Sequence, residues 1–165
     1  MNDGGGQAKE ARLVAVCRER GLTLATAESC TGGLIAGRIT SVAGASAVFL
    51  GGVVSYANAV KRDLLGVPAA VLERAGAVSA ECAEAMAEGV RTRMRADVAV
   101  SVTGVAGPDG GTPQKPVGLV YFGVATAGGV LAERCRFDGD REAVRAQAAD
   151  RALELLLEAT GTLRR

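Results

Sequence analysis

The 165-residue chain contains no histidine and no tryptophan, and only two tyrosines, three phenylalanines, four prolines and four cysteines. The missing imidazole is the most consequential gap. It excludes Ser-His-Asp and Cys-His catalysis and removes the commonest transition-metal ligand. Any general base must therefore be Lys, Tyr, Asp or Glu. So few aromatic rings argue against a surface on which nucleic-acid bases stack. A net charge of +1, with acids and bases interspersed, supplies no field for a polyanion, so nucleic acid is not an expected partner. Cys17, Cys30, Cys82 and Cys135 form no CxxC pair, and neither a zinc site nor a disulfide framework is expected. No apolar run reaches the roughly 18 to 20 residues that cross a bilayer. The start, "MNDGGGQAKEAR", has neither the basic end nor the apolar core of a secretion signal. The expectation is a reduced, cytoplasmic protein without membrane contact.

What the chain does have is small and apolar: 48% of its residues are hydrophobic, with Ala, Val, Leu and Gly dominant. That composition suits helices packed closely on a sheet. The length fits one core that buries roughly two-thirds of the unfolded surface. Residues 1–6 read as a flexible tail and 7–160 as a single domain. A first helix is predicted over 7–20, ended by Gly21. "LTLATA" (22–27) reads as a buried strand. Residues 31–42 read as a helix, because Leu34, Ile35, Ile39 and Val42 recur on one face. "VFLGGVVSY" (48–56) is β-rich, its two glycines marking a bulge or close packing. A short helix carrying Lys61 follows, closed by Gly66, and Pro68 opens another. Ser79 caps a longer helix with Cys82, Met86, Val90 and Met94 in a stripe. "DVAVSVTG" (97–104) is a second buried strand. Two further strands form a hairpin at "AGG", and Asp140 caps a last helix with a frayed "TGTLRR" end. Alternating helices and strands plus a hairpin predict an α/β fold: one three-layer α/β/α domain with a mixed, mainly parallel sheet.

In such sheets ligands bind beyond the carboxyl ends of the strands. Three segments gather there: 27–33, 55–61 and 103–115. In "TAESCTGG", Ser29 is either a nucleophile or the N-cap of a helix starting near Thr31. The N–H groups of Cys30, Thr31 and Gly32 would face a developing oxyanion. Cys30 competes as nucleophile, but without imidazole it reads better as a small packing residue. In "SYANAVK", Tyr56 and Lys61 are candidate bases, since a lysine in an apolar pocket loses its proton near neutral pH. The bland reading is a solvated lysine and a strand-end aromatic. In "TGVAGPDGGTPQKP", Thr103, Gly104 and Gly107 shape either a ligand loop or a surface turn, with Asp109 and Lys115 on a ribose, a phosphate or water. Arg141 and Arg145 share a helix face, as a phosphate clamp or as a solvated pair.

Taken in order, "TAESCTGG", "SYANAVK", "GAVS", "SVTGVAGPDGGTPQKPVG" and "FDGDREAVRAQA" resemble the C-terminal domain of the CinA (competence/damage-inducible) family. Stand-alone members of that family include nicotinamide-nucleotide amidohydrolases. The resemblance implies a cytoplasmic domain that hydrolyses the carboxamide of nicotinamide mononucleotide to nicotinic acid mononucleotide and ammonia, in NAD recycling, with no cofactor. It places the nucleophile at Ser29 and the base at Tyr56 and Lys61. Arg141 and Arg145, with Thr103, Gly104 and Gly107, would hold the ribose phosphate, and Cys30, Thr31 and Gly32 would line the oxyanion. The chain departs from the family's usual "Y…K" segment at Ala57 and Ala59, where a serine and an acid are common. A catalytically silent nucleotide- or protein-binding module is the alternative. A homodimer is the expected assembly.

Overall fold

The computed structural model describes residues 6–163. Five strands form one sheet in the order β2-β1-β3-β4-β5. At its centre is β1 (Leu24–Glu28), with every residue buried. It pairs in parallel with β2 (Phe49–Val54) on one side and β3 (Val98–Gly104) on the other. The chain then turns back as an antiparallel hairpin, β4 (Leu119–Thr126) and β5 (Gly129–Arg136), with β4 beside β3. The sheet is mixed: three parallel strands carry an antiparallel pair at one edge.

Helices cover both faces. On one side lie α1 (Lys9–Arg20), α2 (Leu34–Thr40) and the long α6 (Arg141–Thr162). Leu13, Ile35, Ile39, Val100, Phe122, Leu153 and Leu156 close the core between them and the sheet. On the other side lie α3 (Asn58–Leu65), α4 (Ala69–Arg74) and α5 (Ala80–Met94). A smaller core of Ala25, Ala27, Leu65, Cys82, Met86 and Val90 sits beneath them. The result is the three-layer α/β/α arrangement. Among the described residues, no helix is long and apolar enough to cross a membrane.

The punctuation works as its chemistry dictates. Gly21 and Gly66 end α1 and α3 in the left-handed conformation. Ser79 accepts from the Cys82 N–H at 3.1 Å, and Asp140 from the Ala143 N–H at 2.9 Å, each satisfying an orphan donor of its helix. The stripe on α5 is buried at Cys82, Met86 and Val90, whereas Met94 is half-buried. Both readings of the β2 glycines hold. The β1–β2 register shifts between Leu24 and Ala25, and a Cβ on Gly52 would stand 2.3 Å from Thr26 Oγ1, so the strands meet there without room for a side chain.

Several boundaries differ from the predicted ones, and three of the differences are informative. The β1 strand runs to Glu28 rather than ending at Ala27. The α2 helix begins at Leu34, three residues after Thr31, for a reason that belongs to the site. Finally, α6 continues through Thr162: Thr160 is buried, and the Arg20 guanidinium donates to its carbonyl, which ties down an end expected to fray. Except for Gly6, the expected N-terminal tail lies outside the described residues, as do 164–165.

Candidate active site

The parallel strands β1, β2 and β3 end at the same edge of the sheet, and there the three glycine- and hydroxyl-rich segments meet. The chain leaves β1 held by hydrogen bonds to both neighbouring strands. The Ser29 N–H donates to the Val102 carbonyl at 2.9 Å, and the Ser55 N–H donates to the Glu28 carbonyl at 2.7 Å. Ladder bonds thus extend one residue past the strand on each side and fix where Ser29 stands.

Lys61 reaches this point from α3. Although cationic by type, it is only 1% exposed, the largest of the fully buried side chains. Its Nζ lies 2.9 Å from Ser29 Oγ, 2.6 Å from the Ser55 carbonyl and 3.2 Å from the Tyr56 carbonyl. Burial holds its pKa below the usual lysine value. A neutral amine has two N–H groups and one lone pair. The two carbonyls accept the N–H groups, which leaves the lone pair for the serine proton. The protonated form fits the same positions by donating to all three oxygens. The site therefore holds lysine in either state without rearrangement.

The remaining candidates separate. Cys30 lines the same cavity, but burial pushes its thiol up to about 11, so it is a thiol at neutral pH. Tyr56 contacts Lys61 through its main chain. Its side chain is 61% exposed, and its phenol oxygen accepts from Arg141 Nη2 at 3.1 Å. Arg141 also donates to the Gly107 carbonyl at 2.8 Å, so it bridges the tyrosine and the glycine loop across the mouth of the cavity. Arg145 is placed otherwise. It donates to the Cys30 carbonyl at 3.0 Å and the Thr31 carbonyl at 3.1 Å, and does not line the cavity. Thr103 Oγ1 donates to the Ala77 carbonyl at 2.8 Å. Gly104, Gly107 and Asp109 line the cavity, whereas the Lys115 amine donates to the Ala75 carbonyl and pins the loop from outside.

The oxyanion expectation is narrowed. The Gly32 N–H donates to the Ser29 carbonyl at 3.0 Å and is not free. Among the described residues, neither the Cys30 nor the Thr31 N–H donates to a backbone carbonyl. The reason is Glu28. This carboxylate is 1% exposed and accepts from the N–H groups of Gly33 (3.3 Å), Ile35 (3.0 Å) and Ala36 (3.1 Å). It caps α2 from the strand below. Residues 30–33 therefore form a turn, and the helix starts late. Glu28 and Asn58, which lines the cavity beside Lys61, are the two polar residues of the site that the sequence reading passed over. An acid inside a buried strand, immediately before the serine, was the available signal for the first.

The cavity holding Ser29 and Lys61 measures about 280 Å³. A larger groove of about 990 Å³ passes Leu34, Arg38 and Ala149 on the outer side of Arg141. It contains neither Ser29 nor Lys61.

One local defect stands beside the site. Ala57 occupies the N-cap of α3 in an extended conformation with no side-chain cap. Ala57→Ser should supply an oxygen to the orphan N–H groups and stabilise the fold by about 1 kcal/mol. Denaturant unfolding of the two proteins checks this; an unchanged midpoint would show that the helix start is already satisfied.

A buried serine–lysine pair at the carboxyl edge of an α/β/α sheet defines a domain built around a potential serine nucleophile without imidazole. The chain belongs to the CinA C-terminal domain family, whose model matches residues 6–160. It is 56% identical over 145 residues to a CinA-like protein of Citrifermentans bemidjiense, covering 88% of this chain and 35% of that protein. It is 57% identical over 139 residues to a CinA-like protein of Geobacter sulfurreducens, covering 84% of this chain and 34% of that one. The chain thus spans about a third of the length of these curated relatives. The competence/damage-inducible protein CihA from Agrobacterium tumefaciens superposes with a TM-score of 0.90 at 46% identity, covering 93% of this chain and 94% of that one.

Proposed function

We propose that this domain is an amidohydrolase that cleaves the carboxamide of nicotinamide mononucleotide, releasing ammonia and nicotinic acid mononucleotide, and so serves NAD recycling. The observation that carries the reading is the buried Lys61 amine 2.9 Å from Ser29 Oγ, with its pKa held down by burial. A serine–lysine pair is an established solution where imidazole is absent.

The reaction runs in two halves. Neutral Lys61 takes the Ser29 proton as Oγ attacks the amide carbon. The carbonyl oxygen becomes an oxyanion, which the N–H groups of Cys30 and Thr31 receive. Lys61 returns the proton to the amide nitrogen, the C–N bond breaks, and ammonia leaves an acylated Ser29. Water then gives a proton to Lys61 and its oxygen attacks the ester carbon. The Ser29–acyl bond breaks, and Oγ recovers the proton from Lys61. Tyr56 assists through its carbonyl, which orients the amine, rather than through its phenol. Arg141 and the loop of Thr103, Gly104 and Gly107 hold the ribose phosphate and bring the carboxamide to the nucleophile.

The binding-module alternative draws on Ala57 and Ala59. Neither lines the cavity, and the Ser29–Lys61 contact forms without them. Ammonia release from nicotinamide mononucleotide decides the matter. The wild type should turn over, and Ser29→Ala should lower the rate by about 10³-fold or more. Nucleotide binding without ammonia release would establish the module instead.

A further inference from the structure

The turn that carries Ser29 is gripped from both sides by buried or half-buried charges that do not touch the cavity. Glu28 takes three N–H groups at the start of α2. Arg145, from the first turns of α6, donates Nε to the Cys30 carbonyl and Nη2 to the Thr31 carbonyl. These are the two carbonyls that follow the nucleophile. Because the peptide group is planar and trans, the Cys30 carbonyl and the Thr31 N–H point in opposite directions. Fixing the carbonyl on Arg145 therefore aims the Thr31 N–H away from the guanidinium, where among the described residues it donates to no backbone carbonyl. The next peptide is fully engaged, with Arg145 and Leu34 N–H on the Thr31 carbonyl and the Ser29 carbonyl on the Gly32 N–H. The arginine also lies against Gly32, whose left-handed backbone conformation favours glycine. Gly32 has a φ of +58°, and a Cβ there would sit 3.4 Å from Arg145 Nη2.

We propose that Glu28 and Arg145 are positioning residues that together orient the Ser29 nucleophile and leave the Cys30 and Thr31 N–H groups open for the oxyanion. Arg145 acts on the turn rather than on a substrate phosphate. A guanidinium hydrogen-bonded to the Cys30 carbonyl also polarises that peptide, which makes its Thr31 N–H a better donor. The effect falls on the transition state, where charge develops on the carbonyl oxygen, and not on substrate binding. The inference rests on the amidohydrolase reading of the site, and its test is built to fail separately.

Steady-state kinetics on nicotinamide mononucleotide with Arg145→Ala, Arg145→Lys and Glu28→Gln supply the first readout. A misdirected turn should lower kcat by about 100-fold in Arg145→Ala, with KM changed by less than about threefold. Arg145→Lys, which reaches only one carbonyl, should fall between. Added guanidinium ion should restore part of the kcat of Arg145→Ala and nothing to Lys61→Met, a difference that general loss of structure would not produce. Glu28→Gln, which turns an amide NH₂ toward backbone donors, should reproduce the kcat loss. Should it fail to fold, the arginine variants stand alone. A KM raised more than about tenfold with kcat preserved in Arg145→Ala would overturn the proposal and make Arg145 a substrate contact. The second readout is amide hydrogen exchange over residues 29–33, which needs no substrate. Exchange should quicken in Arg145→Ala and slow again with guanidinium. If the wild type releases no ammonia, the proposed reaction fails on its own. Unchanged exchange in the variant then overturns the clamp, and restored protection sustains it.

Discussion

Lys61→Met should abolish turnover while the protein stays folded. Methionine has nearly the reach of lysine and fills the same apolar slot, so the change removes a base rather than a packing element. Its cost to the fold is a balance. The Ser55 and Tyr56 carbonyls lose their common donor, but the penalty of burying an amine disappears. The two terms oppose each other, and stability should shift by no more than about 2 kcal/mol. The chemical step has no such compensation. The chain has no histidine, and among the described residues Lys61 is the side chain hydrogen-bonded to Ser29 Oγ. The rate of ammonia release should fall by about 10³-fold. A variant retaining a tenth of the activity would remove Lys61 as the base.

The pH dependence follows from the same burial. The folded-state pKa of Lys61 lies below its ordinary value of 10.5. Activity requires the neutral amine, so kcat/KM should rise with pH through that lowered pKa and then level off. Stability carries the matching sign. Between the lowered pKa and 10.5 the unfolded chain binds the proton that the folded one has shed. Folding therefore gains free energy as pH rises across that window. Lys61→Met should lack this contribution, and comparing the two unfolding profiles isolates it.

The second large effect comes from a residue that performs no chemistry. In α5, Gly89 faces the end of α3, and a Cβ there would stand 1.9 Å from the Leu65 carbonyl oxygen. Helix propensity alone makes Gly89→Ala a stabilising change of about 1 kcal/mol. The contact reverses the sign. The obstacle is backbone, not the tip of a flexible side chain, so α3 would have to retreat and carry Lys61 with it. That carbonyl also accepts from Arg93 Nη1 at 3.0 Å, a bond the retreat would lengthen. A net loss of about 2–3 kcal/mol is expected, with turnover down at least about tenfold from the displaced base. Urea unfolding and the ammonia assay read the two consequences independently. A variant more stable than the wild type would mean that α3 can move without penalty.

Much of this was legible from the chain itself. Gly21, Gly66, Ser79 and Asp140 each end or start a helix for a local chemical reason, and those reasons act over three or four residues. The buried strands declared themselves by composition, and their shared edge followed from the fold class. Segments 27–33 and 55–61 converge as expected because β1 and β2 are parallel neighbours. What escaped was whatever depends on a side chain reaching out of its own segment. The start of α2 is set by Glu28, which sits in a strand and looks like core until its three N–H partners are known. Tyr56 and Lys61 looked like a pair by spacing, yet one contributes a carbonyl and the other an amine. Arg141 and Arg145 share a helix face, but a single turn separates a guanidinium at the cavity mouth from one held on the backbone of the nucleophile turn. Periodicity places both on one side of α6 and says nothing of which oxygen each will find.

The bond between Arg141 and the Tyr56 phenol makes the protein its own optical probe. With no tryptophan to collect the excitation, near-ultraviolet emission arises from Tyr56 and Tyr121 alone, and only the former stands 61% open to solvent. An anion that binds the guanidinium competes with that phenol for its N–H groups. Occupancy of the cavity mouth is thereby written into the fluorescence of one ring, without a label.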